Sequence, residues 1–431
     1  VINISQQYNL FGEYFLLDPN GNYVPANVVA EGENGKLCLI NDKDGYQVFG
    51  DRLEGEALEN IWRFFGNPAR VAATDQQGQI EGRTIIADLN KQQFEVAEPS
   101  TIQAQLKGDP FDQSSQAPVE VNVFCRDRVT YDHRTGQIVL HDPNAILAHT
   151  DKTRQITQLQ SGAITLHLAD RSGSTQDEPN DTRSLSGLEL ATLTAHRPKV
   201  VVFRREYDIA TGKLLSMLKI LSTEMQFDNT IAQMTAHGPG RIDSYDYRQA
   251  LPQEAPLENQ SLNNSLPGIL GGRGPSQTIL LFGRQMLFEK LQNKLTFDGG
   301  VVVDYSSLPD TPQVERQPDD PIAEMQNLQC LELILTFAEI DQSADPNAPV
   351  IGELERVTAT GSVVTAATFS DGQSHFLAGE NLVYDLPTDT IRMTGTDEQP
   401  VYLDGVPCTL VRWNVKDGTF VVENIGRNPT K

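Results

Sequence analysis

One pattern recurs along this 431-residue chain and limits what it can become: a short run rich in β-branched and aromatic residues, a polar turn, then a second such run. Its clearest copy is GENLVYDLPTDTIRMTG, residues 379–395, where Leu382 and Tyr384 alternate into the turn and Ile391 and Met393 alternate out of it. In an extended strand residues i and i+2 share a face, so alternation of this kind marks a strand with one apolar side. Asp at the turn adds a mechanism, because its carboxylate accepts from backbone N–H groups a few residues on. Asp385, Asp132 and Asp208 all stand where that chemistry starts a turn.

Similar stretches are FCRDRVTYDHRTGQIVLHD from Phe124, VFRREYDIATGKLLSML from Val202 and RWNVKDGTFVVENIG from Arg412. Looser ones are residues 82–98 and 283–304. In the Phe124 copy, Val129 and Tyr131 enter the turn and Ile138 and Leu140 leave it. Repeats at irregular spacing predict an all-β protein of stacked antiparallel hairpin rungs. Runs at 156–168, 222–245 and 356–369 are rich in Thr, Val and Ile and read as the strands between them. Two segments dissent. Leu58, Ile61, Trp62 and Phe65 fall at helical spacing, and KLLSMLKIL (213–221) is also compatible with a helix; both are assigned to strands, because each sits where the repeat expects one.

Four polar stretches, 170–187, 249–277, 309–326 and 341–350, read as loops. They divide the chain into three expected β units, 1–110, 119–305 and 327–431. Gly and Pro, 33 and 24 residues, punctuate the whole length and favour short elements over long helices.

Composition narrows the partners. With 34 basic against 58 acidic residues, a net charge of -24 and no sizeable basic cluster, nothing matches a phosphate backbone, so nucleic acid is not expected as a partner. The same charge disfavours direct docking on an anionic membrane. No apolar run of 18 residues exists and no charged leader precedes VINISQQYNLFGEYFLL, so neither a membrane-spanning helix nor a signal peptide is expected. Cys38, Cys125, Cys330 and Cys408 lie far apart without CxxC spacing, which points to buried free thiols rather than zinc.

Residues 50–98 carry Gly-Asp-x-Leu-x-Gly, then Gly-Asn-Pro-Ala, then Ile-Glu-Gly before a strand, an Asp and another strand; residues 351–426 carry RVTATGSVVTA, AGENLVYDLPTDTIRMTG and a closing rung. In that order these features resemble the OstA-like domain of lipopolysaccharide-transport proteins. The two stretches cover about a third of the chain, and 119–305 is a weaker echo with HGPGR (237–241) at a rung corner. The resemblance implies two antiparallel sheets folded into an open, V-shaped β-jelly roll that continues from rung to rung. It also implies a periplasmic protein of a Gram-negative-type envelope, stacked end to end or edge to edge with other transport proteins and carrying acyl chains along an apolar groove. The chain departs from short family members in its length and its polar insertions. It also lacks the long series of lipid-facing strands that an outer-membrane barrel needs.

The residues expected to line such a groove are Leu382, Tyr384, Ile391, Met393, Val129, Tyr131, Ile138 and Leu140, with a lipid or lipopolysaccharide-like glycolipid as ligand. The competing reading is that they pack two sheets together and bind nothing. No enzyme chemistry is expected. GGRGPS (271–276) lacks the ending of a phosphate loop, no GxSxG or HExxH is present, and the acidic residues are scattered over turns. His133, His141 and His149 recur every eight residues but are broken by turns, so no metal or other cofactor is expected. An alternative function is a structural β-repeat protein that binds a protein partner by edge-strand pairing, without lipid. A carbohydrate-active enzyme on a β-solenoid is a third class, and it requires a paired-carboxylate cleft.

Overall fold

A computed structural model describes short strands between residues 3 and 41 and then most of 46–107, 118–170, 188–248, 275–307, 325–338, 354–368, 374–395, 398–414 and 419–423. The chain is all-β. Among the described residues the one helical element is a 3-10 turn, Lys290–Gln292, and no helix is long and apolar enough to cross a membrane. Among the described residues thirty-three strands join one continuous antiparallel network, beside a separate pair, Phe15–Leu17 with Tyr23–Pro25.

The network is two ladders that meet along a seam, here called sheet I and sheet II. In the middle of the chain, Pro118–Cys125 lies in sheet I, the chain turns at the seam, and Val129–Asp132 and Gln137–His141 form a hairpin in sheet II. A second seam turn returns it to sheet I as the hairpin Pro143–Thr150 with Thr153–Gln160. Each new hairpin pairs with the previous one in its own sheet, as Gln137–His141 does with Ala163–Asp170. Thus the repeated local motif becomes two stacked ladders.

Six long strands cross the seam without a turn: Ile61–Ala73, Gly78–Asp88, Lys294–Ser307, Met325–Phe337, Leu354–Thr368 and Ser374–Asp385. Register shifts mark the crossing, between Asp298 and Val301 and between Thr360 and Val363, for example. Close approach there demands glycine. A Cβ on Gly283 would lie 2.0 Å from the Gly299 carbonyl oxygen, and Gly361 adopts φ +79, a conformation side chains disfavour. HGPGR forms one such corner, between Gln233–His237 and Gly240–Asp246.

Both segments with helical spacing are strands, Ile61–Ala73 and Leu214–Ser222, with Leu58 outside the described residues. Pairing on both edges overrides their spacing. The ladders run unbroken where the sequence suggested unit boundaries, through Ser100–Lys107 with Pro118–Cys125 and Lys294–Ser307 with Met325–Phe337. Of the polar stretches, 171–187, 249–274, 308–324 and 341–350 fall outside the described residues.

The inner faces of the two sheets share one hydrophobic core. Strand Val200–Asp208 shows the rule, with Val200 and Val202 buried and Val201 and Phe203 partly exposed. Alternation and burial agree, so each sheet turns one side inward.

Candidate functional site

Register turns the inner face of sheet II into two rows that cross the strands. Nearest the seam, cross-strand partners run Val129, Leu140, Ile164, Ala195, and onward through Met286 and Phe297 to Leu382 and Met393. One step outward the partners run Phe94, Tyr131, Ile138, Leu166, Leu193, Phe227, Met234, Phe288 and Leu295, then Leu335, Val357, Tyr384, Ile391, Trp413 and Phe420. Every member of this outer row is apolar or aromatic. Cross-strand neighbours about 5 Å apart make it a continuous band.

The eight predicted groove residues belong to these rows. Leu382 pairs with Met393 and Tyr384 with Ile391, all 0–1% exposed, while Arg392 points to solvent from the opposite face. Val129 and Leu140 are register partners, each 2% exposed. Tyr131 and Ile138, also partners, are half-buried, and Tyr131 stacks on Phe94 with ring centroids 6.3 Å apart. The expected set therefore splits into six sealed residues and two at an open margin. The outer row stays half-buried from Phe94 to Leu295, Leu193 being its deepest member, and is sealed from Leu335 to Trp413.

Sheet I differs. Its row two steps from the seam is apolar, through Leu159, Val202, Ile220, Ile242 and Leu280. Farther out the inward positions turn polar: Thr157 pairs with Arg204, Gln155 with Glu206, Glu206 with Ser216, and Ser244 with Thr278. All are buried. Arg204 donates to the Gln155 amide oxygen, and Glu206 Oε2 accepts from Ser216 Oγ at 3.0 Å and from Arg248 Nη2 at 2.5 Å. The Arg248 backbone N–H donates to Asp246 at 2.9 Å. Sequence reading passed over these residues. Their signal was the strand VVVFRREYD, whose inward parity runs Val200, Val202, Arg204, Glu206 and so breaks from apolar to charged midway.

That the two walls face each other is visible near the C-terminus. His375, inward on sheet I, lies 4.6 Å from the Phe420 ring and 6.3 Å from the Trp413 ring, both on the outer row of sheet II. Trp413 and Phe420 stack at 5.1 Å. His375 Nδ1 lies 3.0 Å from Asp404, whose carboxyl burial would raise; hydrogen bonds from His375 and the Phe376 N–H outweigh this and hold it below its usual range.

The turn aspartates do what their positions imply. Asp132 accepts from the Arg134 and Thr135 N–H groups, Asp208 from Thr211 at 2.7 Å, and Asp385 from Thr388 at 3.2 Å. The hydrogen bond from Gln93 is the largest influence lowering Asp132, and that from Thr211 the largest lowering Asp208. Cys125, Cys330 and Cys408 are free and buried, while the Cys38 side chain lies outside the described residues. Burial pushes Cys125 up to about 11 and Cys330 up to about 12, which makes them poor nucleophiles. His141 stands at a seam turn, and His133 and the His149 side chain lie outside the described residues, as do residues 271–274 of GGRGPS. Among the described residues no group of three or more His, Cys, Asp or Glu converges.

Two hairpin ladders closed along a seam, with an apolar inner wall on one side and a partly polar one on the other, make this a two-sheet β-repeat protein. No family model matches the chain, and none of the curated proteins does.

Proposed function

We propose that the chain is a non-enzymatic, OstA-like scaffold of the periplasm that holds the acyl chains of a lipid or lipopolysaccharide-like glycolipid and relays them toward the outer membrane. The supporting observation is the half-buried outer row of sheet II. From Phe94 to Leu295 it crosses nine strands, about 40 Å at the usual strand spacing, with no charged side chain in it. Each CH₂ buried there contributes about 0.8 kcal/mol, so a chain lying on a half-open face is held yet free to slide. No covalent step is needed.

A second reading is favoured by the C-terminal end. Val406–Cys408 and Thr419–Glu423 each pair on one edge only among the described strands. Such an edge accepts another strand, from an envelope transport protein in the relay or from a partner that needs no lipid.

The test places a photo-crosslinking side chain at Phe227, Ile391 or Arg392 in cells, followed by mass spectrometry of the adducts. Lipid adducts at Phe227 with none at Ile391 or Arg392 are expected. Equal lipid labelling at Phe227 and Arg392 would refute the groove, and protein adducts alone would favour the edge-pairing function.

A further inference from the structure

We infer that the polar wall of sheet I, centred on Ser244, Thr278, Arg204 and Gln155, binds the uncharged polar linkage of an acylated amphiphile while its hydrocarbon lies on sheet II; this rests on the lipid-holding function proposed above. A slot built only for hydrocarbon, or only for packing, has no use for buried hydroxyls and charges on one wall, because such groups are costly without partners. Here Glu206 is 2% exposed and Ser244 2% exposed, and Thr278 is sealed as well. The facing rows of sheet II carry no charged side chain, and their polar atoms are the Tyr131 and Tyr384 hydroxyls and the Trp413 indole N–H.

The wall is partly satisfied from within. Gln155 takes a hydrogen bond from Arg204, and Ser216 and Arg248 both donate to Glu206. Ser244 Oγ, by contrast, is buried with no hydrogen-bond partner. It sits on the inward parity of strand Gly240–Asp246, two strands from Arg204 in the same row, through Leu218, with Thr278 as its register partner. A buried hydroxyl with both its donor and acceptor unused is a place for a carbonyl or hydroxyl of a ligand.

Charge chooses among ligand classes. Arg204 and Arg248 bring two positive charges, and Glu206 and Asp246 bring two negative ones, so the wall is formally neutral. A phosphate or carboxylate head would meet an acid for every base. An ester or amide carbonyl, or a hydroxyl, meets donors and acceptors alike without an uncompensated charge.

The experiment uses the full chain and three pyrene-labelled probes of equal chain length: a monoacylglycerol, an alkyl phosphate and a plain alkane, with affinity read from fluorescence. S244A should weaken monoacylglycerol binding about fivefold, the worth of one hydrogen bond, and leave alkane binding unchanged. S222A is the control, since Ser222 is also buried and unpartnered but lies at the seam; it should alter neither affinity. Melting curves of both variants should match or exceed the parent, because each removes an unsatisfied hydroxyl. Unchanged monoacylglycerol affinity in S244A, or a parent that prefers the alkyl phosphate, overturns the polar-linkage site. A parent that binds all three probes alike refutes that site while leaving the lipid scaffold standing. Failure of every probe to bind refutes both.

Discussion

Between Phe94 and Leu295 the outer row of sheet II is half open, whereas between Leu335 and Trp413 the same row, in unbroken register, is sealed. The local sequence rule is identical in the two regions, with aromatic or aliphatic residues at every second position. What differs is the wall opposite. In the C-terminal rungs sheet I presents Val363, Ala367, Leu377 and Val401 together with the uncharged Thr365 and Gln326, and His375 reaches across to Trp413 and Phe420. In the middle rungs it presents Arg204, Glu206 and Ser216, tied into their own hydrogen bonds. Side chains held that way are not free to interdigitate with Phe227 or Met234, and the row there stays half-buried. A sealed core and a half-open slot thus arise from one repeat, distinguished by one wall.

The largest test of that contrast is truncation of matched aromatics. Trp413→Ala should cost about 3–5 kcal/mol in urea unfolding, as for a buried ring, and Phe227→Ala about 1–2 kcal/mol, as for a half-buried one. Equal losses would erase the distinction between sealed and open rungs.

Next comes the polar wall. Glu206→Gln removes the charge that Arg248 and Ser216 address, and breaking such a buried pair should destabilise by on the order of 2–3 kcal/mol. No loss in the same denaturation experiment would mean that the middle slot is hydrated and its wall not a wall at all.

A smaller effect sharpens the C-terminal half. His375→Ala removes the ring that bridges the two sheets, which should cost about 1 kcal/mol and raise the binding of a hydrophobic dye. Unchanged dye fluorescence would show that the small residues seal these rungs without the aromatic bridge.

The smallest effect lies at the hairpin tips. Folded Asp132 and Asp208 hold carboxyl groups below the ordinary 3.8, so their contribution is complete above that unfolded value and is lost as pH falls through the folded one. Below about pH 4 the Thr211 amide should lose protection, measured as its exchange rate relative to an unstructured amide at the same pH, and in Asp208→Ala that acid-dependent loss should be absent. A protection factor in the parent that does not change with pH would contradict the turn's assignment.

The hairpins, their inward parity and the turn chemistry were legible because they are local. Alternation told Ile391 and Met393 from Arg392, and Asp208 announced its turn, within a few residues of chain. Strand Ile61–Ala73 was legible only through the repeat, since its own spacing suited a helix. Period-2 alternation names the face that turns inward, but it carries no information about what that face will meet. The seal over Trp413 depends on His375, 38 residues earlier on the other sheet, and the one core gathers Cys125, Cys330 and Cys408 from three distant strands. Sequence therefore determined the all-β repeat and the sidedness of each strand; the tertiary structure alone decided which rungs are closed and which face a polar wall, because burial is a property of the two facing sheets together and not of either strand.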